Sequence, residues 1–488
     1  MNGIRSSFVF SVVEKYLSQV LLIGTTAVMA RLLTPAETGL FLTANAVILL
    51  ADNFRTFGVG TYLVQERQID RALVRSAFTL TLLLSSFCAT LTFASADAVA
   101  SFYGTPELAP LLAASSLAFV LTPFSGPIIA LLQRELAFGR IAIINVTSAI
   151  AGSAITIWLG LNHHGAMSFV WGSVATSALM AVLALVMRPQ LSIFVPSLSH
   201  MRRILSFGTW SSLITILNMA YDLLPRLMFG KILGFDAVGL YSRALTISQL
   251  PDRMLVSALQ PVVLPALSAH VRAGGNLKEG YLRGVSLTTA VHWPALVMLA
   301  LLADPVVHVL LGPQWMAAAP LVRVVALANL ALAPAFLTFP VLVAAERIRD
   351  ALLASLISLP PSFILVIGAA FISLEAVAAS LLIVAPLQMA VAYAFIRPAI
   401  SLTWRQLWRA LRPSIVLALG TALPPSFVVV LSGQGFALDG LMTVLAVAGG
   451  AAGWLATLLS IEHAVKGELV GSFRLLLDRF ARARVPAE

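Results

Sequence analysis

Charged residues are scarce in this chain of 488 residues: Asp, Glu, Lys and Arg make up 11% of it, whereas 59% of the residues are hydrophobic. A soluble globular chain usually carries about 25% charged residues. The mean hydropathy of +0.95 points the same way. This composition excludes an ordinary soluble enzyme and a disordered chain, and it predicts a protein built mostly from membrane spans.

Cysteine and long loops are nearly absent as well. A single cysteine, Cys88, excludes an internal disulfide and a thiolate cluster. The longest connections, 188–205 and 397–412, have no room for a soluble domain. The sequence also has no P-loop, nucleophile elbow or His/Glu metal pair, so we predict no catalytic residue, no metal and no cofactor. Its basic residues are scattered through short loops, which argues against a nucleic-acid partner.

Fourteen apolar segments emerge from a window of about 20 residues, the length that crosses the hydrocarbon layer of a bilayer. We interpret the first as a retained span rather than a signal peptide, because Glu14 and Lys15 interrupt its apolar stretch. The predicted spans are 8–31, 38–58, 76–97, 109–131, 141–161, 166–187, 206–229, 238–268, 285–303, 317–344, 351–371, 376–396, 413–432 and 438–459.

The Lys and Arg residues give the orientation. With the N-terminus in the cytoplasm, the cytoplasmic segments hold 23 of the 31 Lys and Arg residues, and the opposite side holds two, Arg31 and Lys231. This positive-inside bias predicts that both termini are cytoplasmic. The basic tail, 460–488, has the pattern of an amphipathic helix that suits either an anionic lipid surface or solvent.

An internal repeat divides the chain. Residues 31–33, 39–41 and Asp52 recur, at a constant offset of 200, as residues 231–233, 239–241 and Asp252. The triplet at 109–111 recurs as 319–321. We therefore predict two pseudo-symmetric six-helix lobes with a site between them near the membrane midplane. The predicted divisions are an N-terminal lobe at 1–187, a C-terminal lobe at 188–396, spans thirteen and fourteen at 397–459, and the tail at 460–488.

Charged side chains within spans are costly, about 2.5–3.5 kcal/mol each at a helix centre, so we expect them to face a partner or a wet cavity. They gather in spans one, two, seven and eight, which are equivalent under the repeat: Glu14, Lys15, Asp52, Arg55, Asp222, Arg226, Arg243, Asp252 and Arg253. Arg323 and Asp304 lie in the tenth span and at the end of the ninth.

Two interpretations of these charges stay open. Asp52 and Arg55, like Asp222 and Arg226, are spaced to neutralise each other within one helix, which would make them structural pairs. Arg243 has no carboxylate three or four residues away, which favours a functional role. Because a guanidinium presents a fork of donors to oxygen anions, arginine in a cavity suits a phosphate-containing substrate.

Three stretches carry a family resemblance. ARLLTPAETGLF at 30–41 resembles the first-loop signature of Wzx-type polysaccharide flippases, in the superfamily that also contains the lipid II flippase and the multidrug extruders. GLYSR at 239–243, followed by LP at 250–251 and LPALS at 264–268, is similar to the eighth-span pattern of Wzx-type and lipid II flippases. LGPQW at 311–315, with APL at 319–321, is similar to the stretch between their ninth and tenth spans.

The resemblance covers roughly residues 8–400 and implies an alternating-access flippase for undecaprenyl-pyrophosphate-linked oligosaccharide repeat units in a bacterial cytoplasmic membrane. It implies that Arg243 and Arg55, which match family arginines, contact the pyrophosphate. We expect further positive charge in the cavity from Lys15, Arg226 and Arg253. We expect coupling to H⁺ or Na⁺ at an acid within the spans, the candidates being Asp222, Asp252, Asp52 and Glu14.

The stretch NFRTFG at 53–58 lacks the longer motif of the lipid II flippase, which favours an exopolysaccharide or O-antigen unit over a peptidoglycan precursor. The alternative function is a cation-coupled multidrug antiporter of the same superfamily. A membrane polymerase or ligase is disfavoured because it would need a large extracytoplasmic loop. The expected partners are the lipid-linked oligosaccharide, membrane lipids, and a polysaccharide polymerase with its chain-length regulator, and the expected state is a monomer.

Overall fold

Long apolar runs form long helices in the computed structural model, which describes residues 2–56, 59–66, 68–252, 276–433 and 435–466. No strand occurs within these ranges. A helix satisfies its backbone hydrogen bonds internally, which is what a segment surrounded by lipid requires. The chain is all-α, as its composition predicts.

Eighteen α-helices lie in the described residues, joined by short connections and four 3₁₀ turns. In the first half they are α1 (Asn2–Leu32), α2 (Pro35–Thr56), α3 (Val59–Gln65), α4 (Arg71–Tyr103), α5 (Leu108–Leu121), α6 (Gly126–Arg134), α7 (Phe138–Leu161), α8 (Met167–Met187) and α9 (Met201–Ile232). They continue with α10 (Phe235–Ser248), α11 (Leu277–Leu301), α12 (Ala303–Leu310), α13 (Ala319–Leu332), α14 (Thr338–Ala344), α15 (Ile348–Ala370), α16 (Leu374–Ile400), α17 (Trp404–Leu431) and α18 (Gly440–Ser460). The 3₁₀ turns are Thr122–Phe124, Leu191–Phe194, Pro313–Ala318 and Ala333–Leu337.

Every predicted span overlaps one or more of these helices. By length and composition, nine helices of the described ranges can cross a membrane, or ten if one bent pair counts as a single span. The bent pair turns by 41° between Leu108–Phe124 and Gly126–Arg134. Pro123 lies at this bend, where a proline cannot continue the helical hydrogen bonds. The predicted class, an all-α integral membrane protein, is confirmed.

Two residues of the first-loop stretch, Thr34 and Glu37, explain where α2 begins. The Glu37 amide donates to Thr34 Oγ1 at 3.2 Å, and the Thr34 amide donates to Glu37 Oε2 at 2.9 Å. This reciprocal capping box satisfies amides at the start of a helix that have no partner within it. The stretch is therefore a helix start as well as a family signature.

The helices form two compact units, Met1–Leu240 and Tyr241–Glu488. In the first unit, α7 packs on α1 and α8, α4 packs on α5, and α2 packs on α9. In the second, α11 packs on α13 and α17, α15 packs on α16, and α17 packs on α18. Phe78 belongs to the buried core of the first unit, and Tyr281 and Trp293 to that of the second. The lobe boundaries drawn from the repeat, at 187 and 396, stay a prediction.

The repeat is visible in the turns that follow α6 and α14. The amides of Leu136 and Ala137 donate to carbonyls three and five residues back, and those of Glu346 and Arg347 do the same. Leu136 (φ +55°) and Glu346 (φ +59°) both adopt the left-handed conformation that ends a helix in this way. The two turns stand 210 residues apart, which is the offset of the repeated APL triplet.

Candidate functional site: a buried arginine and the charges of the predicted spans

Arg243 lies in the third turn of α10 and is 8% exposed. Its guanidinium carbon is 5.6 Å from the ring centroid of Trp315, a fully buried residue of the 3₁₀ turn Pro313–Ala318. Arg243 Nε has no hydrogen-bond partner in the described part of the chain. A buried cation therefore stacks on an aromatic face with donor capacity unused, an arrangement that favours an incoming anion.

Arg323 also lies against an aromatic ring, but its charge and its Nε already have partners. Its guanidinium carbon lies 3.8 Å from the Phe436 ring centroid. It also forms an ion pair with the carboxylate of Asp304, and its Nε donates to the carbonyl of Ala300 at 3.2 Å. The charge of Arg323 is therefore already balanced inside the second unit, which makes this arginine a natural control for Arg243.

Arg55 and Asp52 form the ion pair within α2 that their spacing predicts. Arg55 Nε and Nη2 both donate to Asp52 Oδ1, at 2.8 and 2.5 Å. The side chain of Arg55 is 11% exposed and that of Asp52 is 36% exposed. This is the geometry that the structural interpretation of the pair expects, because one edge of the Arg55 guanidinium is occupied by a carboxylate of the same helix.

The two charges of α1, Glu14 and Lys15, differ in their surroundings. Glu14 is half-buried, and its Oε1 accepts a hydrogen bond of 2.5 Å from Asn145 Nδ2 of α7. Lys15 is exposed. Sequence reasoning did not assign Asn145 to Glu14, since a contact between helices 131 residues apart leaves no local pattern.

Asp252 contacts His292, a residue that sequence reasoning missed. His292 lies near the middle of α11 and is fully buried, and its Nε2 meets Asp252 Oδ1. Its Nδ1 has no hydrogen-bond partner in the described residues, and the Phe336 ring lies edge-on at 5.3 Å between centroids. Only Lys, Arg, Asp and Glu within the predicted spans were considered from the sequence, so this histidine was missed. Its position within a span was the signal that could have identified it.

Of three further predicted site residues, one is described and two lie partly or wholly outside the described residues. Arg226 is half-buried on α9, directly after Pro225. Asp222 is in the same helix, but its side chain lies outside the described residues, and Arg253 lies outside them entirely. The pairing of Asp222 with Arg226 stays a prediction.

A comparison with protein families identifies the chain. The model of a family described as "Polysaccharide biosynthesis protein" matches residues 28–320, more than half of the sequence. The chain belongs to this polysaccharide biosynthesis family. The matched range contains Arg55, Arg243 and both partners of the Asp252–His292 pair, and the predicted resemblance to polysaccharide flippases is confirmed.

Two curated relatives carry related names. The lipopolysaccharide biosynthesis protein WzxC of Escherichia coli K12 is 26% identical over 308 residues, which are 62% of this chain and 62% of the relative. The succinoglycan biosynthesis transport protein ExoT of Rhizobium meliloti 1021 is 27% identical over 325 residues, 65% of this chain and 64% of the relative. The chain thus spans less than two thirds of the length of these relatives.

Solved structures share the fold. The lipid II flippase MurJ, in an inward closed conformation, superposes with a TM-score of 0.74 and 15% identity, covering 92% of this chain and 98% of that one. A multidrug resistance transporter of the MATE family, inward-facing, gives 0.63 and 15%, covering 79% and 94%. At such identities the likeness concerns the fold alone. The chain is a multi-pass protein of the cytoplasmic membrane, as predicted.

Proposed function

We propose that this chain is a flippase, not an enzyme, that carries lipid-linked oligosaccharide repeat units across the bacterial cytoplasmic membrane by alternating access. The product would serve lipopolysaccharide or exopolysaccharide biosynthesis. Membership of a polysaccharide biosynthesis family supports the pathway. The observation that carries the substrate class is Arg243, a buried cation with an unused donor.

The chemistry of Arg243 suits a pyrophosphate. A guanidinium presents its donors in one plane, as a fork that matches two oxygens of a phosphate group. The Trp315 ring lies 5.6 Å from the guanidinium carbon, within the range of a cation–π attraction, while Nε keeps a donor for the anion. An anion that binds there satisfies Nε and balances a charge whose burial is otherwise costly.

The other predicted residues take secondary roles in this proposal. Arg55 would contact a phosphate group only by sharing its guanidinium between the substrate and Asp52. Lys15, Arg226 and Arg253 add positive potential along the path of the anion. A coupling site for H⁺ or Na⁺ would use one of four acids: Asp222, Asp252, Asp52 or Glu14.

The architecture that we propose has fourteen spanning helices with both termini in the cytoplasm. Two six-helix lobes, 1–187 and 188–396, would be followed by spans thirteen and fourteen at 397–459 and by the tail at 460–488. The bias of Lys and Arg and the recurrent turns after α6 and α14 support this arrangement. The proposed partners are membrane lipids and a polysaccharide polymerase with its chain-length regulator, with the flippase itself a monomer.

The test is transbilayer movement of a fluorescent lipid-pyrophosphate-oligosaccharide in proteoliposomes. Charge-assisted hydrogen bonds are worth about 1.5–3 kcal/mol, so Arg243→Ala should slow transport by about 10- to 100-fold. The matched control is the double variant Arg323→Gln/Asp304→Asn, which removes another stacked arginine together with its carboxylate and should transport like the wild type.

Two results would overturn the proposal. Transport by Arg243→Ala at the wild-type rate would remove Arg243 from the site. No transport by the wild type, across several sugar headgroups, would reject the flippase. The same vesicles would then be assayed for proton- or sodium-driven drug export, the activity of a multidrug antiporter of this fold.

A further inference from the structure

The contact between Asp252 and His292 joins a carboxylate to an imidazole, the kind of side chain that changes charge near neutral pH. His292 is fully buried near the middle of a candidate membrane span, and the side chain of Asp252 is 22% exposed. We propose that the two side chains form a proton-binding site and that proton binding there is coupled to transport. This inference rests on the proposed function and names its coupling ion.

Charge explains why the pair would bind one proton. A carboxylate beside a neutral imidazole has a net charge of −1, and one added proton brings the pair to zero. Net charge inside a membrane protein is costly, and a pair without net charge costs less, so protonation changes the energy of the site. The partly exposed carboxylate gives the proton a way in, and the buried imidazole keeps it there.

The second ring nitrogen makes the site responsive rather than fixed. Since Nε2 faces the carboxylate, it carries a proton and donates it. Nδ1 has no partner among the described residues, whereas a structural histidine usually has both nitrogens satisfied. Nδ1 is therefore a lone pair to which a proton can add. Protonation there makes the imidazole of His292 cationic, and this alters its contact with the carboxylate of Asp252.

Sodium fits this site less well than a proton. Hard cations are held by several oxygen ligands, whereas here the carboxylate meets an imidazole nitrogen, and the Phe336 ring lies against that imidazole. No group of three His, Cys, Asp or Glu side chains that could hold a metal ion occurs in the part of the chain that the structure describes. The ligand that matches the pair is H⁺.

Other titratable groups contact α11 elsewhere. Arg323, already paired with Asp304, reaches the carbonyl of Ala300. His463 contacts the Ser414 hydroxyl, which accepts from Thr289, about one turn before His292. Arg253 follows Asp252 and lies outside the described residues. Among the described residues, Asp252 is thus the charged side chain that contacts the imidazole of His292.

The position of Asp252 on the chain connects the proton to the substrate. Arg243 precedes it by nine residues and lies in α10, which ends at Ser248, four residues before Asp252. An anion on Arg243 and a proton on the Asp252–His292 pair would therefore act on the same stretch of chain, α10 and the four residues after it. That shared element gives coupling a physical route.

The first test measures proton binding without any substrate. Infrared difference spectra of the purified protein in nanodiscs, between about pH 8 and pH 5, record carboxyl and imidazole bands that change on protonation. We expect one set of bands to disappear in both Asp252→Asn and His292→Gln. It should persist in the control Asp304→Asn, whose carboxylate is paired with an arginine. Bands that persist in both test variants would overturn the proton site.

The second test measures coupling in proteoliposomes. A pH gradient should accelerate wild-type transport of the lipid-linked oligosaccharide severalfold, and Asp252→Asn and His292→Gln should lose this response. The exchanged variant Asp252→His/His292→Asp restores a titratable pair and should recover part of it. A wild-type response in the single variants would refute coupling. If the wild type moves no lipid-linked oligosaccharide, the proposed function fails, while the infrared result still decides the proton site.

Discussion

Gly39 and Gly239 stand 200 residues apart in the sequence, and each lies against the first turn of the other's helix. A Cβ on Gly39 would overlap the carbonyl oxygen of Phe235, and a Cβ on Gly239 would overlap that of Pro35. Pro35 and Phe235 are themselves separated by the same 200 residues. The start of α2 and the start of α10 thus meet in a reciprocal backbone contact that requires glycine on both sides.

The first prediction concerns Gly39. A methyl group there must push backbone apart, and overpacking of this kind costs about 1–3 kcal/mol. We expect Gly39→Ala to lower the thermal unfolding midpoint of the detergent-solubilised protein. The matched control is Gly24→Ala on α1, where no atom lies within 4 Å of the added Cβ and the helix gains a better helix former. Equal midpoints for the two variants would contradict the close approach.

A second reciprocal crossing joins α7 and α8. Thr156 Oγ1 would touch a Cβ on Gly172, and Thr176 Oγ1 would touch a Cβ on Gly152. Both threonine hydroxyls donate to the glycine carbonyl four residues back on their own helix, at 2.9 Å. Small residues spaced by four let helix backbones approach closely in a membrane, where packing rather than hydrophobicity drives association.

This crossing leads to the second prediction. Gly172→Ala places a methyl group on Thr156 and on the carbonyl of Gly152, so we expect a lower unfolding midpoint and an additional loss in the double variant Gly152→Ala/Gly172→Ala. Gly368→Ala on α15 serves as the control, because a Cβ there meets no atom within 4 Å. The same shift in Gly368→Ala as in Gly172→Ala would mean that the crossing is not the cause.

Local patterns made much of this molecule predictable. Apolar runs predicted the helices, because a membrane span needs a long uninterrupted stretch whatever its partners are. Spacing predicted the Asp52–Arg55 pair, since residues three apart share one face of a helix. The absence of a nearby carboxylate singled out Arg243, which the structure shows buried with an unused donor.

Contacts between helices that are distant in the chain could not be predicted from the sequence. Asn145 meets Glu14, and His292 meets Asp252, across separations of 131 and 40 residues that leave no periodic signal. Trp315 was noticed only as part of a family stretch, because nothing local indicates that its ring lies on Arg243. Such pairs depend on which helix faces pack together, and that is decided by the whole fold.

The third prediction separates charge from shape at Arg243. Lysine keeps the positive charge but lacks the planar fork and packs less well on a ring, so Arg243→Lys should still impair transport, by about tenfold. Trp315→Phe keeps an aromatic face with a weaker cation–π attraction and should have a smaller effect. Initial rates in proteoliposomes, compared with binding of the lipid-pyrophosphate probe, measure both variants. Full activity of Arg243→Lys would reduce the role of Arg243 to simple electrostatics.

The fourth prediction concerns pH and His463, which follows α18. The Val465 amide donates to His463 Nδ1 at 3.1 Å, so Nδ1 is unprotonated, and Nε2 lies 3.1 Å from Ser414 Oγ. Burial lowers the pKa of His463 below its ordinary value of 6.5, because it disfavours the charged imidazolium. The unfolded chain therefore binds a proton more readily than the folded one.

This difference fixes the direction of the pH dependence. The stability contributed by neutral His463 is complete above pH 6.5, and it is lost as the pH falls from there towards the lowered pKa of the folded state. We expect the unfolding midpoint of the wild type to fall over this window more steeply than that of His463→Gln, in which the slope from this residue is gone. Parallel curves for the wild type and His463→Gln would show that burial does not hold the imidazole neutral.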